Sequence, residues 1–182
     1  MMLPSYPPVR GEHVLLRSIT WEDTPLIVRW RANPRVRANF IYREPLTREI
    51  HERWLMERVA TGEVVQFIIC AMAHESADEV EPVGSVYLRD IDREGSLAEY
   101  GIFMGEDGAA GRGLGTETAR LMVQWASEVL GLRTLILRVY VDNIAAIKSY
   151  EAAGFTRDRL MPAVRSSDGE ERDMLLMLWR KR

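Results

Sequence analysis

Hydrophobic and polar positions along this chain switch repeatedly between a period of two and a period near 3.6, the pattern of alternating strands and helices. Residues 13–19 read as a strand. Thr20-Trp21-Glu22-Asp23 forms a cap leading into a helix through Arg31, and Asn33-Pro34 breaks that helix. Thr47 starts a second helix, on which Ile50, Trp54, Leu55 and Val59 fall near helical spacing. Residues 64–73 and 83–88 read as strands on either side of an acidic loop, 74–82. A polar turn over 90–95 predicts that the apolar run 98–104 returns as a hairpin. The helix that follows, 116–130, is expected to bury Ala119, Met122, Ala126 and Val129 and to end at Gly131. Residues 134–141 alternate through Leu135, Leu137, Val139 and Val141, a β pattern. A helix over 143–153 closes at Gly154, and residues 155–164 and 172–179 flank the turn Ser166-Ser167-Asp168-Gly169 as a second hairpin. The order is that of an α/β protein, with no internal repeat or linker.

The 182 residues suit one domain, and 47% hydrophobic residues are enough for a sizeable core. A net charge of −3 argues against nucleic acid as the main partner. Cys70, the only cysteine, excludes an intrachain disulfide; its apolar run makes a buried, inert thiol the expectation, in keeping with a reducing, cytoplasmic setting. Residues 1–8 lack the apolar stretch of a signal peptide, and no segment is long and apolar enough to span a membrane. No His, Cys and Asp spacing supports a metal site.

Candidate chemistry enters at Gly111-Arg112-Gly113-Leu114-Gly115-Thr116, between the apolar run 98–104 and a helix. A glycine-rich turn opening a helix aims unpaired N–H groups at one point, where the helix dipole adds positive character suited to a phosphate. A turn with no ligand is the alternative. The second segment is Asp142-Asn143-Ile144-Ala145-Ala146-Ile147-Lys148-Ser149-Tyr150-Glu151-Ala152-Ala153-Gly154-Phe155. Asn143 stands at the expected N-cap, and Tyr150, seven residues on, falls on nearly the same helix face. Ala146 between them leaves room for a ligand. A plain cap and a core aromatic are the alternative roles.

Glycine loop, helix, strand and then N-x-A-A-x-x-x-Y-E-x-x-G-F together resemble the GNAT superfamily of acetyl-coenzyme A-dependent N-acetyltransferases. The likeness is close over 98–155 and its element order extends upstream. In the loop pattern Gln/Arg-x-x-Gly-x-Gly/Ala, Gly113 and Gly115 match, while Ala110 stands where Gln or Arg is usual. The resemblance implies one domain over 1–182, with a variable substrate region over about 10–60 and an acetyl-CoA-binding core over 98–155. It implies a mixed, mostly antiparallel seven-stranded sheet, splayed at its centre beside a bulge, with helices on both faces. Acetyl-CoA would be the co-substrate, with no metal. Its pantetheine arm would meet Ile102, Phe103 and Met104, its pyrophosphate the amides from Arg112 to Thr116 beside Gly111, and its arm also Asn143 and Ala146. Tyr150 would protonate the leaving thiolate.

An alkyl ammonium must lose a proton before it attacks a thioester, so a base is useful. Glu99, on the run 98–104, is the candidate, and a strand carboxylate with a salt partner is the alternative. For the acceptor, W-R-x-N-x-x-V-R followed by T-x-x-x-H-x-x-W resembles the branch containing UDP-amino-sugar, spermidine and ribosomal-protein N-terminal acetyltransferases. Arg29, Arg31, Arg35 and Arg37 are candidates to meet a diphosphate, against a solvated helix face. His51 is a candidate for a sugar hydroxyl or phosphate, against a packing role. The expected partner is a small-molecule amine, with a nucleotide-linked amino sugar as the first candidate and a protein N-terminus or polyamine as alternative; a homodimer is compatible with the sequence. Two other classes compete: a dinucleotide-binding oxidoreductase, with Asp142 as the ribose acid, and a non-catalytic acyl-CoA-binding module.

Overall fold

The structure is a computed structural model that describes residues 2–72 and 80–181. Eight strands form one sheet: β1 (Val9–Arg10), β2 (Val14–Ser18), β3 (Val65–Met72), β4 (Val80–Asp92), β5 (Leu97–Met104), β6 (Thr134–Tyr140), β7 (Thr156–Arg165) and β8 (Glu171–Arg180), in the order β1-β2-β3-β4-β5-β6-β8-β7. The strand beyond the expected seven is the two-residue β1, too short for its pattern to register. Every pairing is antiparallel except β5 with β6.

That parallel pairing decides the architecture. It covers only Leu97 to Glu99 against Thr134 to Ile136. Beyond it β5 stays paired to β4 as far as Met104, and β6 stays paired to β8 as far as Tyr140. Each strand is held by its outer neighbour while the two part, so the sheet splays as expected. The expected bulge is not at the splay: the β4–β5 register shifts between Arg89 and Asp92, next to the turn, and runs unbroken from Arg89 to Gly84. Outward anchoring, rather than an extra residue, opens the gap.

Helices cover both faces. On one lie α4 (Leu114–Val129) and α5 (Ile144–Ala152), burying Ala119, Met122, Ala126 and Ile147 against Phe67, Ile69, Val86 and Tyr100. On the other lie α1 (Thr24–Ala32), α2 (Pro34–Arg37) and α3 (Arg48–Trp54), the last running on as a π-helical turn, Leu55–Val59. Ile27, Trp30, Leu55 and Val59 pack there with Ile68 and Cys70. The nearly continuous apolar run of β3, interrupted only by the buried Gln66, is explained by burial on both faces.

The local signals hold at most element ends. Thr20 and Asp23 form a capping box, Thr47 accepts from the amide of Ile50, and Gly131 and Gly154 take positive φ where helices end. Asn33-Pro34 both ends α1 and restarts the chain, since Asn33 caps α2. Three expectations change. Ile50 is exposed, and the inward position belongs to His51, because the buried stripe runs His51, Leu55, Val59. Val129 lies exposed as the last residue of α4, and Val141 falls beyond the end of β6. Of the acidic loop, 80–82 belongs to β4 and 74–79 lies outside the described residues.

Candidate active site

Alternation along β5 sorts its side chains to two sides of the sheet. Ala98, Tyr100, Ile102 and Met104 pack on the α4–α5 side, and Phe103 packs on the α1–α3 side. Three connected spaces follow from this and from the splay.

The first is a groove of about 520 Å³ along the opened edge of β5. It is bordered by Ile102, Phe103 and Met104, by Gly111, Gly113, Leu114, Gly115 and Thr116, and by Asn143, Ala146 and Tyr150. These are the residues singled out for acetyl-CoA, save that the Arg112 side chain is exposed and does not line it. The loop bends through Gly111 and Gly113, both at φ 74°, a conformation that disfavours any side chain. Gly113 caps the 16-residue α4, so the first amides of a long helix open into the groove. Past Glu99, β5 has no strand partner on the β6 side, which leaves backbone groups free for an amide-rich chain. Gly115 faces Ser149, whose hydroxyl shares a 2.8 Å hydrogen bond with that of Thr116. The site therefore fits acetyl-CoA by its cradle and its open strand edge. Ala110 supplies no polar group, but Arg35 reaches in from α2, its Nε donating to Asp107 at 2.7 Å and its Nη2 to the Met104 carbonyl at 3.1 Å.

The second space, about 130 Å³, lies where the strands part. Tyr150 and Asn143 border both it and the groove. The Asn143 Oδ1 accepts from the Ala146 amide at 3.3 Å, and its Nδ2 donates to Asn39 at 3.2 Å, so it is a cap that also bridges to the acceptor side. Tyr150 meets Tyr100 and Phe155 edge to face, with ring centroids 6.1 Å from each. Burial pushes its hydroxyl pKa up, so it stays protonated at neutral pH.

Glu99 also borders the junction, but its carboxylate is heavily engaged. Oε1 accepts from Arg89 Nη2 at 3.0 Å and from Arg138 Nε and Nη2 at 3.1 and 3.0 Å, and Oε2 accepts from Arg138 at 3.2 Å. The salt-partner alternative describes this geometry. With its lone pairs shared between two guanidiniums, this carboxylate has little free hydrogen-bonding capacity to offer a substrate amine. Gly101 matters beside it: a Cβ there would lie 2.3 Å from the Tyr87 ring, so glycine lets Tyr87 lie across β5.

The third space is a cavity of about 300 Å³ behind the junction, under α1, α3 and the segment 38–46. Phe40, Tyr42, Trp54, Tyr87 and Phe103 give it aromatic walls, with Arg31, Arg89, Glu44 and His51 as its charged or titratable lining. His51 is 3% exposed; its Nδ1 meets the Thr24 hydroxyl at 3.0 Å, and burial lowers its pKa to about 4. The Arg31 guanidinium stacks on Phe40, 3.6 Å from the ring centroid, and donates to the Tyr42 carbonyl at 2.9 Å.

The four arginines do not converge on one diphosphate. Arg29 pairs with Glu106 and Arg35 with Asp107, both on the loop after β5, and only Arg31 of the four lines the cavity. Helical rotation separates them: residues two apart point to different sides. Sequence reasoning missed Phe40, Tyr42, Tyr87, Arg89 and Arg138. Arg138 carried a signal, a charge amid the apolar alternation of a central strand. Phe40 and Tyr42 carried none.

Residues 13–156 match the family model of the acetyltransferase (GNAT) domain. An uncharacterized protein of Methanocaldococcus jannaschii is 30% identical over 147 residues, 80% of this chain but 28% of that protein, so the chain spans under a third of that relative. A solved domain from the same organism superposes with a TM-score of 0.76 at 26% identity, covering 94% of this chain and 100% of that one. Spermidine N-acetyltransferase from Vibrio cholerae, solved with CoA and spermine, superposes with a TM-score of 0.82 at 19% identity, covering 93% and 96%. At that identity the likeness is one of fold.

Proposed function

Because the chain belongs to the GNAT acetyltransferase family, enzymes that move an acetyl group from acetyl-CoA to an amine, we propose that it acetylates a primary amine of a small molecule seated in the aromatic cavity. The observation that carries this reading is continuity. Groove and junction share Tyr150, Asn143 and Ile102, while junction and cavity share Phe40, Tyr42, Tyr87 and Arg89; Phe103 borders all three. A donor on one side of β5 and an acceptor on the other therefore meet at the splay.

Acetyl-CoA supplies a thioester. The loop amides from Arg112 to Thr116 hold its pyrophosphate, and the open edge of Ile102, Phe103 and Met104 aligns its arm. Tyr150 directs its hydroxyl proton at the departing sulfur; burial keeps that proton in place at neutral pH but makes the hydroxyl a weaker acid, so its hydrogen bond stabilises the leaving thiolate and solvent completes the protonation. Glu99 holds Arg89 and Arg138 across the mouth of the splay, and the amine proton leaves to water. Deprotonating an amine of pKa near 10 at pH 7 takes about 4 kcal/mol, but one near 8 only about 1.4. A weakly basic amine, such as that of an amino sugar, needs no strong base, and the aromatic walls suit the flat faces of a sugar or nucleobase. A nucleotide-linked amino sugar is accordingly the acceptor favoured here. Polyamines are disfavoured, because Arg31 and Arg89 outnumber Glu44 in the cavity.

The test is CoA release across a panel of nucleotide-linked amino sugars, short peptides with free N-termini, and polyamines. Turnover of the first group at low concentration is expected. Tight CoA binding with no release from any acceptor would make this a binding module instead. The oxidoreductase alternative falls with the family assignment, whose loop serves acetyl-CoA.

A further inference from the structure

Among the described residues, six buried side-chain nitrogen or oxygen atoms have no hydrogen-bond partner, and three of them belong to side chains lining one cavity: Arg31 Nε, His51 Nε2 and Arg89 Nε. An unmet buried polar group costs about 1–3 kcal/mol, so such atoms are scarce and their concentration calls for a reason. The three come from α1, α3 and β4, so no single local irregularity accounts for them.

Each side chain is fixed by its other atoms. Arg31 is held by Phe40 and the Tyr42 carbonyl, and His51 by Thr24. Arg89 is held by Glu99, and its Nε is approached only by Asp90, at 3.6 Å. Both Nε groups are obligate donors. His51 Nε2 is a donor too in the tautomer where the Thr24 hydroxyl donates to Nδ1. Two fixed donors around one cavity, and a third in that tautomer, lack an acceptor. The charge points the same way: Glu99 already neutralises part of Arg89 together with Arg138, and Glu44 is the single acid on the wall against Arg31 and Arg89. Position adds direction. Arg89 borders the reactive junction, whereas Arg31 and His51 border the cavity alone.

We infer that the acceptor is an amphoteric molecule whose amine lies at the junction and whose far end carries an anionic group, carboxylate or phosphate, received by Arg31 and His51 with Arg89 along its path. The inference rests on the acetyl-transfer reading and narrows its substrate class. Apolar or aromatic atoms fill the span between the two ends, against Leu46, Trp54 and Phe103.

Matched acceptors separate this from acetyl transfer itself. With saturating acetyl-CoA at neutral pH, CoA release is measured for phenethylamine, aminoethylbenzoate, tyramine phosphate and spermidine, alongside calorimetric CoA binding. One of the two anionic acceptors should exceed phenethylamine in kcat/KM by roughly 10–100-fold, the scale of hydrogen bonds to a charged group. Which one does so distinguishes carboxylate from phosphate, and spermidine should be poorest. In Arg31→Gln the anionic advantage should shrink, mainly through KM; Arg31→Lys should restore part of it, and CoA affinity should hold in both. If either variant fails to fold, the wild-type ratios alone decide. Equal kcat/KM for neutral and anionic acceptors, or a preference for spermidine, overturns the inference and leaves acetyl transfer standing. CoA binding without release from any amine overturns both.

Discussion

The groove proposed for acetyl-CoA is assembled from one stretch of chain, from Ile102 on β5 through the glycine loop to Tyr150 on α5, apart from a rim contributed by α2 and Asn39. The cavity behind it, proposed to seat the acceptor, takes its walls from α1, the segment 38–46, α3, β3, β4 and β5. The two regions also bind differently. The groove offers backbone: loop amides at glycines, the start of a long helix and an unpaired strand edge. The cavity offers side chains, among them three buried nitrogens without a hydrogen-bond partner. Backbone recognition tolerates sequence change so long as the turn forms. Side-chain recognition is rewritten by a few substitutions. One half can thus serve a constant co-substrate while the other defines a particular acceptor.

The sharpest test of that division lies on the boundary. Tyr150 borders both groove and junction, so Tyr150→Phe should lower kcat by roughly 10²–10⁴, the scale of a positioned acid, while acetyl-CoA affinity holds. A kcat within a few-fold of wild type would reduce Tyr150 to packing between Tyr100 and Phe155.

The next effect belongs to the acceptor side and is read in stability. Burial lowers the pKa of His51 to about 4; Arg31 reinforces the shift and Asp23 opposes it. The unfolded chain binds the proton first, so this contribution is complete above pH 6.5 and is lost as pH falls from 6.5 to 4. The loss reaches up to about 3 kcal/mol, about 2.5 units at 1.36 each. Urea unfolding at pH 7 and pH 4.5 should show a shallower pH slope for His51→Gln than for the wild type. Equal slopes would mean that His51 accepts its proton in the folded state, in contact with water.

On the cofactor side, glycine substitutions separate two reasons for glycine. Gly113→Val forces a β-branched residue to φ 74° and should weaken both the loop and acetyl-CoA binding, the latter roughly 10–100-fold. Gly115 has ordinary φ, and its nearest neighbour to an added Cβ is Ser149 Oγ at 3.6 Å. Gly115→Val should therefore keep its melting temperature within a few degrees yet bind acetyl-CoA more weakly. Unchanged calorimetric affinity in both variants would remove the loop from the cofactor site.

The smallest effect is expected at the seam. Glu99→Gln keeps some hydrogen bonds to Arg89 and Arg138 and loses the charge, so kcat/KM should fall only several-fold, with the pH profile unshifted. A defect that recovers as pH rises would instead return Glu99 to the role of base, because free amine then forms without help.

Most elements were legible because their signals are local. Thr20, Thr47 and Asn143 cap helices by bonding amides three residues on, and Gly131 and Gly154 end helices through positive φ. The glycine loop and the Asn143–Tyr150 face were legible for the same reason. Misreadings arose where neighbours along the chain compete. Ile50 and His51 are adjacent on one helix, and hydrophobicity favoured the isoleucine for the inside. Packing placed the histidine there because Thr24, 27 residues away, meets its ring.

The sequence by itself determined the order of strands and helices, the phosphate-type loop and the family, since each rests on hydrogen bonds and periodicities spanning a few residues. Tertiary structure alone decided the walls of the cavity and the partners of Glu99. The register sets Arg89 opposite Glu99, and the three-residue pairing of β5 with β6 brings Arg138 to the same carboxylate. The cavity walls meet because segments as far apart as Ile27 and Phe103 pack on one face of the sheet. Contacts between distant segments depend on how whole elements align, and a shift of one residue along a strand would turn every such side chain to the other face.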